Sequence, residues 1–289
     1  MTRQLCVALV VGLMSPAVMP SPGQPTFRSA IDGVRVDALV TADGRPIADL
    51  TSADFEVRDN GVLQTVTVES RGGDATPVRV ILTFDTSSSM QGVPLEHLRT
   101  SARRLVDALQ QHDEAGLLTF DRAVMERVPV SGEFERIDNA LALVNSSGDT
   151  ALIDATLASL LAAEDDASRS VVILFSDGAD TASFMTPTEA LDTARGGNSV
   201  LYGVWSGRGA RPAFLRNVAE ASGGRLIELR GLAEMSQALL AILREFRQRY
   251  VITYTPTGVS PPGWHRLDVR VKRRGASVRA REGYFGRPH

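Results

Sequence analysis

Val78-Arg79-Val80-Ile81-Leu82-Thr83-Phe84-Asp85-Thr86-Ser87-Ser88-Ser89-Met90 is the stretch that decides the fold. It opens on a mostly apolar run of strand length, rich in β-branched residues, which suits a strand buried on both faces. An acid and four hydroxyl residues follow at once. In open α/β sheets, ligands bind where parallel strands end, at the carboxyl edge. Asp85, Ser87 and Ser89 fall at i, i+2 and i+4. In a loop curling off a strand tip, that spacing can turn three oxygens toward one point. Carboxylate and hydroxyl oxygens suit a hard divalent cation such as Mg²⁺. A Ser-rich turn that merely follows a strand is the other reading, and these residues alone leave both open.

Downstream of this stretch, strand and helix patterns alternate. Pro94 opens a helix with Leu95, Leu98, Ala102, Leu105, Val106 and Leu109 on one stripe. Short strands are expected over residues 117–120 and 124–130, and helices over 137–144 and from 152 to about 163. Residues 171–175 form a buried strand that ends in Ser176-Asp177-Gly178. A helix at 187–194, a strand at 200–205, a helix at 212–221 and a strand at 225–229 follow. The region closes on an amphipathic helix carrying Met235, Leu239, Ile242, Leu243 and Phe246. Strands separated by helix-length segments imply βαβ units and a mostly parallel, doubly wound sheet covered on both faces.

Both flanks are β-rich. Val34, Val36, Ala38 and Val40 alternate with Arg35, Asp37 and Leu39, mostly a half-buried strand pattern. Asp43-Gly44 marks a turn, and Asn60-Gly61 between apolar runs is a strong hairpin signal, since a type I′ turn needs φ > 0 at both central residues. After the last helix, residues 250–254, 267–271 and 277–281 read as strands. Neither flank has enough strands for a core of its own. The expectation is that residues 24–75 and 249–289 pair into one small β-domain, with the α/β domain, residues 76–248, inserted between them.

At the N-terminus, Arg3 and the short apolar run from Leu5 to Met14, followed by Pro16, Ala17, Pro20 and Pro22, read as a cleaved export signal over residues 1–23. The run is too short to span a bilayer as a helix. The single cysteine, Cys6, would leave with the signal, so no disulfide is expected in the mature protein. The expected location is periplasmic or extracellular. A formal net charge of -3 gives no electrostatic case for nucleic acid.

Three junctions in the α/β region carry matched oxygen ligands: Asp85-x-Ser87-x-Ser89, Thr150 in Gly148-Asp149-Thr150-Ala151-Leu152, and Asp177 in Phe175-Ser176-Asp177-Gly178. This pattern resembles the von Willebrand factor type A (VWA) domain, whose metal-ion-dependent adhesion site (MIDAS) uses a DxSxS loop, a Thr and an Asp. The wider chain resembles the bacterial VWFA-related proteins through Val36-Asp37-Ala38-Leu39-Val40-Thr41, Leu50-Thr51-Ser52-Ala53-Asp54-Phe55-Glu56-Val57, Tyr250-Val251-Ile252-Thr253-Tyr254-Thr255-Pro256 and Val278-Arg279-Ala280-Arg281-Glu282-Gly283-Tyr284-Phe285. The resemblance implies that Ser87 and Ser89 bind Mg²⁺ or Mn²⁺ directly. Thr150 would bind directly or through water, and Asp85 and Asp177 largely through water. It also implies an exported, non-catalytic module whose metal takes an Asp or Glu carboxylate from a partner protein. The reading from another class is an envelope assembly module in which the metal only stabilises the fold.

Enzymatic readings find little support. Transferases resembling haloacid dehalogenases need a second acid two residues after the first, where this chain has Ser87. No Gly-x-Ser-x-Gly elbow and no His-Glu-x-x-His are present. His97, His112, His265 and His289 read as surface histidines, and the basic run from Arg266 to Arg281 as the solvated face of two strands. Asp121, Asp154 and Asp180 lie near the ligand loops, where supporting the site, capping a helix and facing solvent all remain open.

Overall fold

Two turns fold the first flank back on itself. β1 (Val34–Ala42) meets β2 (Arg45–Pro46) through Asp43-Gly44, and β3 (Phe55–Asp59) meets β4 (Val62–Gln64) through Asn60-Gly61. All four turn residues have positive φ, at 49° and 73°, then 46° and 85°. That is the type I′ geometry that Asx-Gly pairs favour. The computed structural model describes residues 33–69, 76–165, 168–207, 211–260 and 262–286. The expected signal at residues 1–23, with Cys6 and the start of the first flank, lies outside them.

Beyond β5 (Thr67–Glu69), strands and helices alternate as their periodicity predicts. The order is β6 (Val78–Asp85), α1 (Val93–Val106), β7 (Glu114–Phe120), β8 (Val124–Ser131), α2 (Glu135–Leu143), α3 (Leu152–Ala162) and β9 (Arg169–Ser176). α4 (Pro187–Gly196), β10 (Val200–Trp205), α5 (Ala213–Ala221), β11 (Arg225–Glu228) and α6 (Met235–Arg247) complete the region. The sheet order is β11-β10-β9-β6-β7-β8, parallel except for β8, which runs antiparallel to β7. The central strand β6 is buried along nearly its whole length. One face of the sheet packs on α1, α2 and α6, the other on α3, α4 and α5. Thr186 and Glu189 form a capping box that starts α4.

β12 (Tyr250–Tyr254), β13 (Gly263–Val271), β14 (Ala276–Arg279) and β15 (Gly283–Gly286) end the chain. The two flanks hydrogen-bond to each other: β1 lies between β14 and β12, and β12 carries β5 on its other side. A separate sheet has the order β15-β13-β3-β4. Val36, Val40, Tyr250 and Ile252 of the first sheet share an apolar cluster with Phe55, Val57, Leu267 and Tyr284 of the second. β4 and β5, only two residues apart, join different sheets. The strand expected over 277–281 is β14, which ends at Arg279, and a further strand, β15, joins the other sheet.

Three sequence expectations change here. β1 is not half-buried, for Asp37 and Leu39 are buried as well. Asp37 accepts both Nε and Nη2 of Arg169 on its Oδ1, at 2.9 and 2.8 Å, at the base of β9. His265 is not a surface residue. It is 1% exposed. Its Nδ1 is 2.7 Å from Asp59 Oδ1, and Asp59 Oδ2 also accepts the hydroxyls of Tyr254 and Tyr284. Arg281 leaves the basic run for the interior, where it donates to Gly197 O and Asn198 Oδ1, and burial lowers its guanidinium to about 10. Arg279 pairs with Glu245 and Arg270 with Asp268, so these two charges of the basic stretch have acidic partners.

Glu245 gives a prediction. Burial raises its carboxyl, but Arg225, the Tyr202 hydroxyl and Arg279 outweigh that and hold it below its ordinary 4.5. A carboxyl depressed in the native state adds stability above its unfolded value and loses it as pH falls through its folded value. Urea unfolding from pH 7 down to about pH 3 is expected to show an acid-side loss that Glu245→Gln makes shallower. An unchanged acid limb in that variant would mean the cluster does not hold the charge.

Among the described residues, no helix is long and apolar enough to cross a membrane.

Candidate metal centre

β6 delivers Asp85 to the carboxyl edge of the sheet with its side chain buried. Asp85 Oδ1 accepts the Ser87 N–H at 2.9 Å, which curls the chain away from the strand direction. A 3-10 turn, Ser88–Met90, follows, pinned by the fully buried Met90. Gly92, with φ of 78°, then redirects the chain into α1. The loop is short, so Ser87 and Ser89 stay at the strand tip.

The parallel neighbour β9 supplies the second acid. Phe84 pairs with Phe175, which places Ser176 and Asp177 beside Asp85. Ser176 Oγ donates to Asp85 Oδ2 at 2.6 Å, and Ser89 Oγ donates to Asp177 Oδ1 at 2.8 Å. Ser87 Oγ lies 3.1 Å from Ser89 Oγ. With the Ser89 proton committed to Asp177, Ser87 is the donor in that pair. Thr150 joins from the loop before α3: a Cβ added at Gly178 would sit 3.4 Å from its Oγ1. The Asp177 loop and the threonine are therefore in contact range. The structure brings all five sequence-selected residues, Asp85, Ser87, Ser89, Thr150 and Asp177, to one edge.

Two acids, one of them buried, meet in this cluster. Burial pushes the Asp85 carboxyl above the usual range, and the negative Asp177 adds to it, against hydrogen bonds from Ser176 and Ser87. Two carboxylates and three hydroxyls, with no nitrogen or sulfur, are donors for Mg²⁺ or Mn²⁺. A divalent cation would supply the charge that the buried acid lacks. Both Asp85 oxygens already accept protein donors, which fits a role through water better than direct ligation. Among the described residues, no group of three or more His, Cys, Asp or Glu is placed to hold a metal ion.

Sequence reasoning did not select Ser176. The available signal was a hydroxyl immediately before the acid, on a strand parallel to β6. Asp121, Asp154 and Asp180, left open above, turn out to be backbone anchors. Asp121 O accepts the Ala151 N–H at 2.7 Å, and its Oδ2 accepts Ser147 Oγ at 3.2 Å. Asp180 Oδ1 accepts the Ile153 N–H, while Ser183 Oγ accepts those of Ile153 and Asp154. These are first-turn amides of α3, which has no side-chain cap at its own N-cap residue, Ala151. A distant loop therefore caps the helix that follows Thr150. Thr150 itself receives the Thr181 and Ala182 N–H groups on its carbonyl, at 2.9 and 3.2 Å.

Residues 80–179 match the family model of the von Willebrand factor type A domain. No curated protein matches the chain. Among solved structures, the von Willebrand factor type A protein from Catenulispora acidiphila aligns with a TM-score of 0.55 at 15% identity, over 83% of this chain and 74% of that one. Proximal thread matrix protein 1 from the mussel byssus, solved with a zinc-occupied MIDAS motif, aligns with a TM-score of 0.56 at 17% identity. That alignment covers 66% of this chain and 50% of the mussel protein. At these identities the likeness is one of fold.

Proposed function

We propose that the von Willebrand factor type A domain carried by this chain works as an exported, metal-dependent binding module for an acidic side chain of a partner protein. The observation that carries this reading is the Ser87-Ser89-Asp177 hydrogen-bonded chain beside the buried, doubly anchored Asp85. Ser87 and Ser89 would hold Mg²⁺ or Mn²⁺ by their hydroxyl oxygens, Thr150 directly or through water, and Asp85 and Asp177 largely through water. Neutral ligands and water-separated acids leave much of the cation's charge unneutralised, so an open position on it favours a carboxylate. Recognition of that kind breaks no bond, and the module is not an enzyme. Residues 24–75 and 249–289 would form a small β-domain bracing residues 76–248, a reading supported by the pairing of β1 with β12 and β14 and of β3 with β13. Residues 1–23 would be the export signal.

The test is an array of seven-residue peptides with a central Asp or Glu, beside Asn and Gln counterparts, probed in Mg²⁺, in Mn²⁺ and in chelator. Binding should require both the acid and the metal, with a loss of more than about tenfold when either is removed. Asp85→Asn should remove it while the circular dichroism spectrum stays native. Acid capture that survives chelator would sink the proposal. A protein stabilised by metal that captures no acidic peptide would point instead to a metal that only holds the fold together.

A further inference from the structure

The carboxyl edge carries more than oxygen ligands. Phe184 is 92% exposed, its neighbour Met185 is 36% exposed, and Val93 is 67% exposed. Scattered apolar side chains on a surface need no explanation. These three differ in how they are held and where they stand.

Phe184 and Met185 sit on a fastened loop. Asp154 accepts the Phe184 N–H at 3.1 Å and the Met185 N–H at 2.9 Å. Just before them, Ser183 and Asp180 cap the first turn of α3, and Thr181 and Ala182 donate to the carbonyl of Thr150. Two residues span at most about 7 Å of chain, so Phe184 stands close to Thr150. The backbone is thus fixed by Asp154, while nothing among the described residues covers the ring. Much of the ordering cost of presenting that ring is met in the free protein. Val93 begins α1, four residues after Ser89.

The two positions rise from opposite layers. The buried stripe of α1 belongs to the core on one face of the sheet, whereas α3 and α4, which bracket the Phe184 loop, pack on the other. The tips of β6 and β9, with Ser87, Ser89 and Asp177, lie between them. We infer that Val93 on one side and Phe184 with Met185 on the other select the sequence around the bound carboxylate: the partner segment carries an Asp or Glu with apolar side chains immediately beside it. This rests on the metal-dependent reading above and adds the class of partner. A carboxylate on the metal fixes one point of a peptide, and adjacent side chains then reach the apolar residues on either side. Burying one of them contributes roughly a tenfold gain in affinity.

The same array tests it, with every residue type placed on each side of the central acid. Metal-dependent spots should favour Leu, Ile, Phe and Met over Gly, Ser and Lys next to the acid by about tenfold. Phe184→Ser and Val93→Thr should each flatten that preference on one side, with acid and metal dependence intact. Both positions are exposed, so the variants should fold, and unchanged metal-induced thermal stabilisation checks that the site survives. Metal-dependent acid binding with no apolar preference, or with one that both variants retain, would overturn this inference and leave the metal reading standing. Loss of metal and acid dependence in the wild type would overturn both.

Discussion

Heated in Mg²⁺ or Mn²⁺ at a hundredfold excess over the dissociation constant, the protein is expected to unfold roughly 5–10 °C above its midpoint in chelator. A ligand bound only by the native state stabilises it by about 2.7 kcal/mol at that excess, and each kcal/mol moves the midpoint of a domain this size by about 2–4 °C. Asp85→Asn should abolish the shift with modest cost to the fold. The amide can still accept the Ser87 N–H and can donate to Ser176 Oγ, so both hydrogen bonds survive while the charge goes. Asp85→Ala removes charge and bonds together and serves as the harsher control. Ser176→Ala keeps all five proposed metal-site residues but frees Asp85 Oδ2, and should weaken metal affinity by about 10–100-fold, the usual cost of losing a group that orients a ligand. Differential scanning calorimetry with titrated metal reads all of these. An equal shift in Asp85→Asn would remove Asp85 from the site.

The second large effect lies at the opposite end of the sheet. Asp37 and Arg169 are each 5% exposed in their side chains and bonded to one another. Arg169 also donates to Phe246 O at 3.1 Å and lies over the Phe246 ring. Asp37→Ala leaves a buried guanidinium without its acid, which typically costs about 3–5 kcal/mol. A midpoint loss of about 6–20 °C should follow. The double variant Asp37→Leu with Arg169→Met removes both charges and keeps apolar volume, and should recover much of that loss, since a buried pair adds little net stability over well-packed apolar groups. Chemical denaturation of the single and double variants measures the difference. A single-variant cost below about 1 kcal/mol would mean that water reaches the pair.

Both predictions join residues far apart in sequence, which separates what could be read early from what could not. The β6 run, its abrupt end in Asp85, the i, i+2, i+4 oxygens and the Asn60-Gly61 turn are local. Each rests on side-chain period, strand termination or the φ that a turn residue tolerates, and these act within a few residues whatever the rest of the chain does. The central α/β order and the stripe of α1 followed from the same periodicities. The reading of His265 and Arg281 as surface residues failed because alternation along one strand says which side chains share a face, not what covers that face.

By itself, then, the sequence determined the alternating α/β region, the Asp43-Gly44 turn and Asn60-Gly61 hairpin of the first flank, and the set of oxygen-bearing residues at the strand ends. Only the tertiary structure decided that Ser176 anchors Asp85 across 91 positions and that Asp37 meets Arg169 across 132. It alone put a loop beyond β9 over the first turn of α3. The physical reason is that a side chain's donor or acceptor partner depends on which strands pair and in what register. That is settled by burying whole faces together and leaves no mark on the residues nearby.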